Sequence, residues 1–158
     1  MQYRLLKATR DHLRTLLPWI RNPNDLKFWG GSALTYPPEV ERTWQEIGAD
    51  DENSFVLVDP AGNTVGFGQA LARPPDTVHL GRIIVDPALR GQGLGSVLCG
   101  KLIEAAIARH RPGRITLNVY RSNAPACKLY TALGFSVSTE DPEHDSVMMV
   151  LNPGDFRG

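Results

Sequence analysis

The sequence predicts a single α/β or α+β domain in which strands and helices alternate along the chain. Its 158 residues are enough for one domain with a sizeable core, and 42% of them are hydrophobic. Apolar residues recur with strand or helix periodicity in the order β-α-α-β-β-β-α-β-α-β-β. Two strand–helix–strand stretches surround one glycine-rich turn, which predicts some parallel pairing in the sheet.

The N-terminal half predicts three strands, two helices and one long loop. Thr9 or Asp11 is expected to cap the first helix, because either side chain can accept hydrogen bonds from backbone N–H groups. Residues 22–36 hold aromatic and glycine residues without a regular period and are expected to form a loop. The predicted elements are a strand at 3–8, a helix carrying Leu13 to Ile20 that Pro18 interrupts, a short helix from Pro37 to Ile47, and a hairpin of strands at 54–58 and 64–72.

The C-terminal half predicts four strands and two helices. A strand at 78–85 ends at Asp86-Pro87, and the glycine-rich turn that follows opens a helix reaching about Arg109. Pro112-Gly113 stops this helix. The remaining predicted elements are a strand at 115–120, a helix from Asn123 to Leu133 ended by Gly134, and two strands at 135–138 and 147–151 joined by an acidic turn at 140–145.

Charge and cysteine content exclude several classes of protein. Seventeen basic residues balance seventeen acidic ones, so a whole-surface attraction to nucleic acid or to an anionic membrane is not expected. Residues 81–128 nevertheless hold eight basic and two acidic residues, a local excess of +6 around the glycine-rich turn. Cys99 and Cys127 form no CxxC pair and stand near no histidine cluster, which predicts neither a disulfide nor a metal site. No apolar signal segment or membrane span is apparent, which predicts a cytoplasmic chain.

The glycine-rich turn, Arg90-Gly91-Gln92-Gly93-Leu94-Gly95, joins a strand to a helix N-terminus. Backbone N–H groups point into such a turn, and the helix dipole favours negative charge there. Glycines let the backbone approach a phosphate closely. The turn matches neither the Walker pattern GxxxxGK[ST] nor the dinucleotide fingerprint GxGxxG, so nucleoside triphosphates and NAD are disfavoured. The alternative is a tight turn that needs glycine for its shape alone.

Two segments resemble motifs of the GNAT N-acetyltransferase superfamily. Residues 85–95 (VDPALRGQGLG) are similar to the acyl-CoA signature [R/Q]-x-x-G-x-[G/A] with the usual V-x-P before it. Residues 123–135 (NAPACKLYTALGF) are similar to the family segment N-x-x-A-x-x-L-Y-x-x-x-G-F. The resemblance implies one acyl-CoA N-acyltransferase domain over residues 1–158, with its cofactor half at about 78–136. It implies a mixed central sheet of six to seven strands flanked by about four helices.

The resemblance also implies acetyl-CoA as the acetyl donor, and no metal. The pyrophosphate is expected on the N–H groups of the glycine-rich turn, and the pantetheine arm along the strand that ends at Val85. The thioester carbonyl is expected to meet a backbone N–H near Ile83 or Ile84. Asn123 is expected to hydrogen-bond the arm or to cap its helix. The implied cofactor contacts are Ile83, Ile84, Val85, Arg90, Gly91, Gln92, Gly93, Leu94, Gly95, Ser96 and Asn123.

Catalytic residues are also implied by the resemblance. Tyr130 matches the family tyrosine that protonates the departing sulfur, and the alternative is a core tyrosine. Some family members carry a glutamate base at the position of Asn118 or of His79. Asn118 cannot act as a base, whereas His79, with a reference pKa of about 6.5, can take a proton. The alternatives to His79 as the base are Asp25, or water without any side-chain base. Cys127 is expected to be a small buried thiol, not a nucleophile.

Together these features predict an N-acetyltransferase that moves the acetyl group of acetyl-CoA directly to a primary amine of an unidentified small molecule or peptide. Residues 28–31 (FWGG) are expected to form a mobile lip over this acceptor. Neither nucleic acid nor a membrane is expected as a partner, and a homodimer stays open. The alternative is a non-catalytic acyl-CoA-binding sensor or interaction module on the same fold, because Asn118 stands where a glutamate is found in some members.

Overall fold

The structure of the chain is a computed structural model that describes residues 2–140 and 145–158. Within these residues seven strands form one mixed sheet. They are β1 (Arg4–Lys7), β2 (Ser54–Val58), β3 (Thr64–Arg73), β4 (Thr77–Val85), β5 (Arg114–Tyr120), β6 (Ser136–Glu140) and β7 (Ser146–Leu151). Their order across the sheet is β1-β2-β3-β4-β5-β7-β6. The predicted α/β class and the mixed sheet of six to seven strands are confirmed.

Five α-helices occur within the described ranges, one more than the sequence predicted. They are α1 (Arg10–Leu16), α2 (Pro23–Gly30), α3 (Val40–Glu46), α4 (Leu94–His110) and α5 (Ala124–Leu133). Three single turns of 3-10 helix occur at Leu17–Trp19, Pro87–Leu89 and Pro153–Asp155. In the described part of the chain, no helix is long and apolar enough to cross a membrane.

The chain divides into two compact units. The first unit comprises residues 1–69 and 82–98, and the second comprises residues 70–81 and 99–158. β3, β4 and α4 therefore each contribute residues to both units. The predicted cofactor half, residues 78–136, also has residues in each unit.

The first unit contains an antiparallel meander and three short helices. β1 pairs with β2, with Arg4 opposite Val58, and β2 pairs with β3, with Ser54 opposite Gln69. All of β2 and most of β3 are buried, so both of their faces are covered. α1 begins after Thr9. The Thr9 hydroxyl accepts the backbone N–H of His12 in the first turn of the helix, so Thr9 is the cap.

The predicted loop at residues 22–36 is wrong in its first half, because Pro23–Gly30 forms the helix α2. The Asn22 side chain caps this helix by accepting the Asp25 N–H at 2.8 Å. A proline occupies the first helical position. An N–H group there would have no partner within the helix, so the proline costs the helix no hydrogen bond. The helix ends at Gly30, and the residue that follows, Gly31, has a φ of 94°, which is accessible mainly to glycine. An asparagine–proline start and a glycine stop thus define a helix inside the aromatic segment.

The lip expected at residues 28–31 is also revised. Phe28 is 52% exposed, whereas Trp29 is only 7% exposed. The Trp29 ring meets the Phe67 ring edge-on, with 5.9 Å between centroids. Residues 28–30 form the last turn of α2, so Trp29 belongs to the buried core of the first unit. Among residues 28–31, Phe28 is the one that presents a large aromatic surface to solvent.

The second unit is built around β5. β5 runs parallel to β4, from Thr77 opposite Arg114 to Leu80 opposite Leu117. It also runs antiparallel to β7, which in turn is antiparallel to β6. The parallel pairing predicted from the strand–helix–strand pattern is therefore present. Four residues of the acidic turn predicted at 140–145 lie outside the described residues.

Gly134 ends α5, as predicted, and its backbone has no room for a side chain. Its φ is 112°, in the left-handed region. A Cβ atom on Gly134 would stand 2.4 Å from the carbonyl oxygen of Asp155. Both the dihedral and the close approach of the Asp155 backbone therefore require glycine here.

We predict that Gly134→Ala destabilises the protein by roughly 2–3 kcal/mol, because the methyl group must either move the backbone of Asp155 or strain its own. Gly154→Ala is the matched control, since a Cβ on Gly154 meets nothing within 4 Å. Urea unfolding followed by circular dichroism measures both. Equal unfolding midpoints for the two variants would contradict the assignment.

Candidate functional site

The glycine-rich turn lies in the first unit and leads into α4. A 3-10 turn at Pro87–Leu89 precedes the glycine-rich turn. The Asp86 side chain caps this 3-10 turn by accepting the Ala88 N–H at 2.9 Å. Gly91 and Gly93 have φ values of 84° and 79°, and nothing lies within 4 Å of the positions where their Cβ atoms would stand. The carbonyl of Gly93 accepts the Val97 N–H at 3.3 Å, which starts the helix.

The first turn of α4 offers backbone donors to solvent. In any α-helix the first N–H groups have no partner within the helix, and here they belong to Leu94, Gly95 and Ser96. Leu94 is buried and anchors the helix start, while Ser96 and residues 90–93 are exposed. The space beside Gly91 and Gly93, where nothing lies within 4 Å of a Cβ position, leaves the turn open to an anion. A phosphate group fits this arrangement in both charge and space.

The other predicted cofactor residues of the first unit are Ile83, Ile84 and Val85, at the end of β4. All three are half-buried. Arg82, immediately before them, has a φ of 50°, an unusual value for a residue with a side chain inside a strand. The sequence gives no sign of this irregularity, because VHLGRIIV resembles an ordinary strand.

His79 and Asn118 lie in the second unit. The Nδ1 atom of His79 is 2.8 Å from the hydroxyl oxygen of Thr116, which is only 3% exposed. The opposition of His79 and Thr116 follows from the parallel register of β4 and β5. This contact fixes the orientation of the imidazole ring. Asn118, two residues further along β5, is exposed.

Tyr130 lies on α5 in the second unit and hydrogen-bonds the thiol of Cys99. Burial raises the pKa of Tyr130 well above its ordinary value, and the bond that its hydroxyl donates to Cys99 adds to this effect. Burial also raises the pKa of Cys99 to about 12, partly offset by that hydrogen bond. Both groups are therefore neutral near pH 7. The Tyr130 ring packs edge-on against Phe135, with 6.0 Å between centroids.

Asn123 and Cys127 occupy the first half of the same helix. The Asn123 side chain accepts the Ala126 N–H at 3.3 Å, so it caps α5. The thiol of Cys127 is half-buried and lies 3.7 Å from the carbonyl oxygen of Tyr120. The residues that the structure describes include no group of three or more His, Cys, Asp or Glu side chains able to hold a metal ion.

The predicted site residues thus fall into two groups. The glycine-rich turn and the end of β4 belong to the first unit. His79, Asn123 and Tyr130 belong to the second unit. The sequence interpretation missed the role of Cys99 as the partner of Tyr130. It also missed the buried amide of Gln69, which is fully enclosed and contacts Arg82. Neither residue belongs to a motif, and only their contacts reveal them.

Several known proteins with similar sequences are acetyltransferases. Residues 14–135 match the model of the Acetyltransferase (GNAT) family. The chain is 32% identical over 111 residues to L-amino acid N-acetyltransferase of Escherichia coli, covering 67% of this chain and 68% of that protein. It is 21% identical over 165 residues to N-acetyltransferase 9-like protein of Nematostella vectensis, covering 96% and 83%. The chain spans less than half the length of several other curated relatives that it matches.

The fold is similar to that of solved structures. Spermidine N-acetyltransferase from Vibrio cholerae, in complex with CoA and spermine, matches with a TM-score of 0.80 and 20% identity. The match covers 98% of this chain and 97% of that one. At this identity the likeness shows the fold alone. The family model, by contrast, spans most of the chain and includes the glycine-rich turn and α5, and on this basis the chain belongs to the GNAT acetyltransferase family.

Proposed function

We propose that this protein is an N-acetyltransferase that transfers the acetyl group of acetyl-CoA directly to a primary amine of a small molecule or peptide. One observation carries the proposal. The turn at Arg90–Ser96 presents two uncrowded left-handed glycines and the first N–H groups of α4, in a chain of the GNAT family. When bound, acetyl-CoA supplies an acetyl group activated as a thioester.

The residues of the first unit hold the donor in this proposal. Backbone N–H groups from Gly91 to Ser96 bind its pyrophosphate, and the Arg90 guanidinium adds positive charge at the mouth of the turn. Backbone groups of Ile83, Ile84 and Val85 bind the pantetheine arm as an added strand would. The excess of six basic residues over residues 81–128 suits a ligand that carries several phosphate charges.

Tyr130 assists the departing sulfur. Its hydroxyl keeps its proton at neutral pH, because burial holds its pKa well above 10. A phenol that holds its proton more tightly than a thiol does stabilises a thiolate chiefly by donating a hydrogen bond to it. Asn123, which caps the same helix, is proposed to reach the donor through its amide.

His79 is the proposed acceptor of the proton that the amine loses. Its ring is held by a hydrogen bond of 2.8 Å between Nδ1 and the Thr116 hydroxyl, which leaves Nε2 as the second ring nitrogen for a proton. Asp25 is less suited to this role, because its carboxylate already accepts the backbone N–H of Arg21 at 3.1 Å. Water remains the alternative base, since Asn118 supplies no basic group at the position where some family members carry glutamate.

The acceptor class is tested by turnover. We predict that purified protein releases free thiol from acetyl-CoA with at least one member of a panel of amino acids, polyamines, aminoglycosides and short peptides. Product masses should show one added acetyl group on nitrogen. A non-catalytic sensor, the second candidate, would bind acetyl-CoA in calorimetry and release no thiol with any amine. Failure to bind acetyl-CoA would contradict both candidates.

We predict that Gly93→Glu weakens acetyl-CoA binding at least about 100-fold, because a carboxylate at the turn repels the phosphates. Gly62→Glu is a closely matched control. Gly62 has a φ of 90° in the β2–β3 turn, and its Cβ would also meet nothing within 4 Å. Both variants therefore carry the same backbone strain and the same added charge. Equal affinities for acetyl-CoA in calorimetry would contradict the phosphate assignment.

We predict that Tyr130→Phe lowers kcat about 10- to 100-fold while the Kd for acetyl-CoA changes less than about twofold, because only the hydroxyl is lost. Since its pKa is raised, the native hydroxyl stays protonated and the deficit should be equal at about pH 7 and pH 9. Tyr3→Phe, ahead of the edge strand β1, is the control. An unchanged kcat in Tyr130→Phe would make Tyr130 a packing residue.

A further inference from the structure

The backbone of β4 is irregular at Arg82, and two side chains hold it. A φ of 50° inside a strand strains a residue that has a side chain, so surrounding contacts must fix it. Within the described residues, the other such residue is Arg111, which follows the end of α4, where left-handed residues are common. The irregularity at Arg82 has no such ordinary explanation.

The first contact is with the main chain. The indole N–H of Trp29 donates to the carbonyl oxygen of Arg82 at 2.8 Å. Trp29 is buried on α2, and its ring is wedged against Phe67. The donor is therefore rigid, and the direction of the Arg82 carbonyl is set by a side chain 53 residues earlier in the chain.

The second contact is with the Arg82 side chain. Its Nη1 atom donates to the amide oxygen of Gln69 at 2.9 Å. The amide nitrogen of Gln69 donates to the carbonyl of Ile47 and to the hydroxyl of Ser54, both at 3.0 Å. Gln69 is fully buried, so this anchor is shielded from water. Arg82 is thus fixed at both its carbonyl and its guanidinium.

The direction of the Arg82 carbonyl sets the direction of the next N–H group. In a planar trans peptide the carbonyl of Arg82 and the N–H of Ile83 point in opposite directions. The Ile83 N–H therefore points away from Trp29. The carbonyl oxygen of Ile84 lies next to Gly66 on β3, since a Cβ atom placed on Gly66 would be 3.2 Å from it. The backbone N–H and C=O groups of successive residues in a strand point to opposite neighbouring strands. Those of Ile83 therefore point away from β3.

We propose that Trp29 is a positioning residue for catalysis: by holding the Arg82 carbonyl, it aims the Ile83 N–H at the carbonyl oxygen of the acetyl group. This inference rests on the proposed function, and it selects Ile83 from the two donors that the sequence left open. A donor fixed before the reaction stabilises the negative charge that develops on that oxygen without a cost of reorientation. Gln69 and Arg82 keep the peptide in this orientation when no ligand is bound.

The test compares Trp29→Phe with Trp44→Phe. Phenylalanine at position 29 keeps an aromatic ring beside Phe67, removes the N–H donor, and shortens a buried ring system, a loss of volume that Trp44→Phe shares. Trp44 is also 7% exposed and belongs to the same core cluster, but its ring contacts the Arg10 guanidinium. We expect Trp29→Phe to lower kcat about tenfold with KM for acetyl-CoA changed less than about twofold. Trp44→Phe should leave both constants within about twofold.

A binding measurement separates positioning from packing. In the native protein, acetyl-CoA should shift the amide resonance of Ile83 in a ¹H–¹⁵N spectrum further than CoA does, because CoA shares the pantetheine arm but lacks the acetyl oxygen. Trp29→Phe should lose most of this difference, and Trp44→Phe should keep it. If the substitution at position 29 prevents folding, the native indole resonances give the same information, because that of Trp29 should respond to acetyl-CoA more than to CoA and that of Trp44 should not.

Two results would overturn the inference and leave the proposed function intact. One is a Trp29→Phe variant that keeps native kcat and the native Ile83 shift. The other is a native protein that binds and turns over acetyl-CoA with no response at Ile83. A native protein that binds no acetyl-CoA would instead contradict the proposed function itself.

Discussion

The fold of the first unit depends on an interruption of β4 that buried polar contacts make stable. In a strand that continued regularly through Arg82, successive residues would direct their backbone groups alternately to the two neighbouring strands. The Arg82 carbonyl would then not meet the indole N–H of Trp29. The left-handed turn of the chain at this residue is possible because the Arg82 carbonyl and guanidinium both have buried partners. Helix α2, strand β3 and the end of β4 are therefore joined through one residue.

Much of the fold was predictable because it rests on local signals. The turn residues around β2 and β3 gave that hairpin within one residue at each end, and Asn123 and Gly134 gave the limits of α5. Helix α2 was missed because its aromatic side chains obscure its period, although Asn22 and Pro23 form a typical helix start. A capping pattern should outweigh irregular hydrophobicity in a short segment.

The candidate site was predictable only where a motif defines it. The turn from Arg90 to Ser96 has a recognisable sequence, since its glycines must adopt positive φ values. The hydrogen bond between Tyr130 and Cys99, and that between Trp29 and Arg82, join residues far apart in the chain. Such contacts depend on tertiary packing, which the hydrophobic periodicity of the sequence does not predict. Sequence therefore identified the turn that is proposed to bind phosphate, and missed the contacts that orient a peptide or a hydroxyl.

Gln69 has a second consequence, for the alignment of neighbouring strands. β2 is buried along its whole length, as is most of β3, so apolar alternation does not distinguish one pairing of these strands from another shifted by a residue. Gln69 stands opposite Ser54 and bonds its hydroxyl. A slip by one residue would carry this amide to the opposite face and leave a buried polar group unsatisfied. One glutamine thus specifies the register of an otherwise ambiguous hairpin.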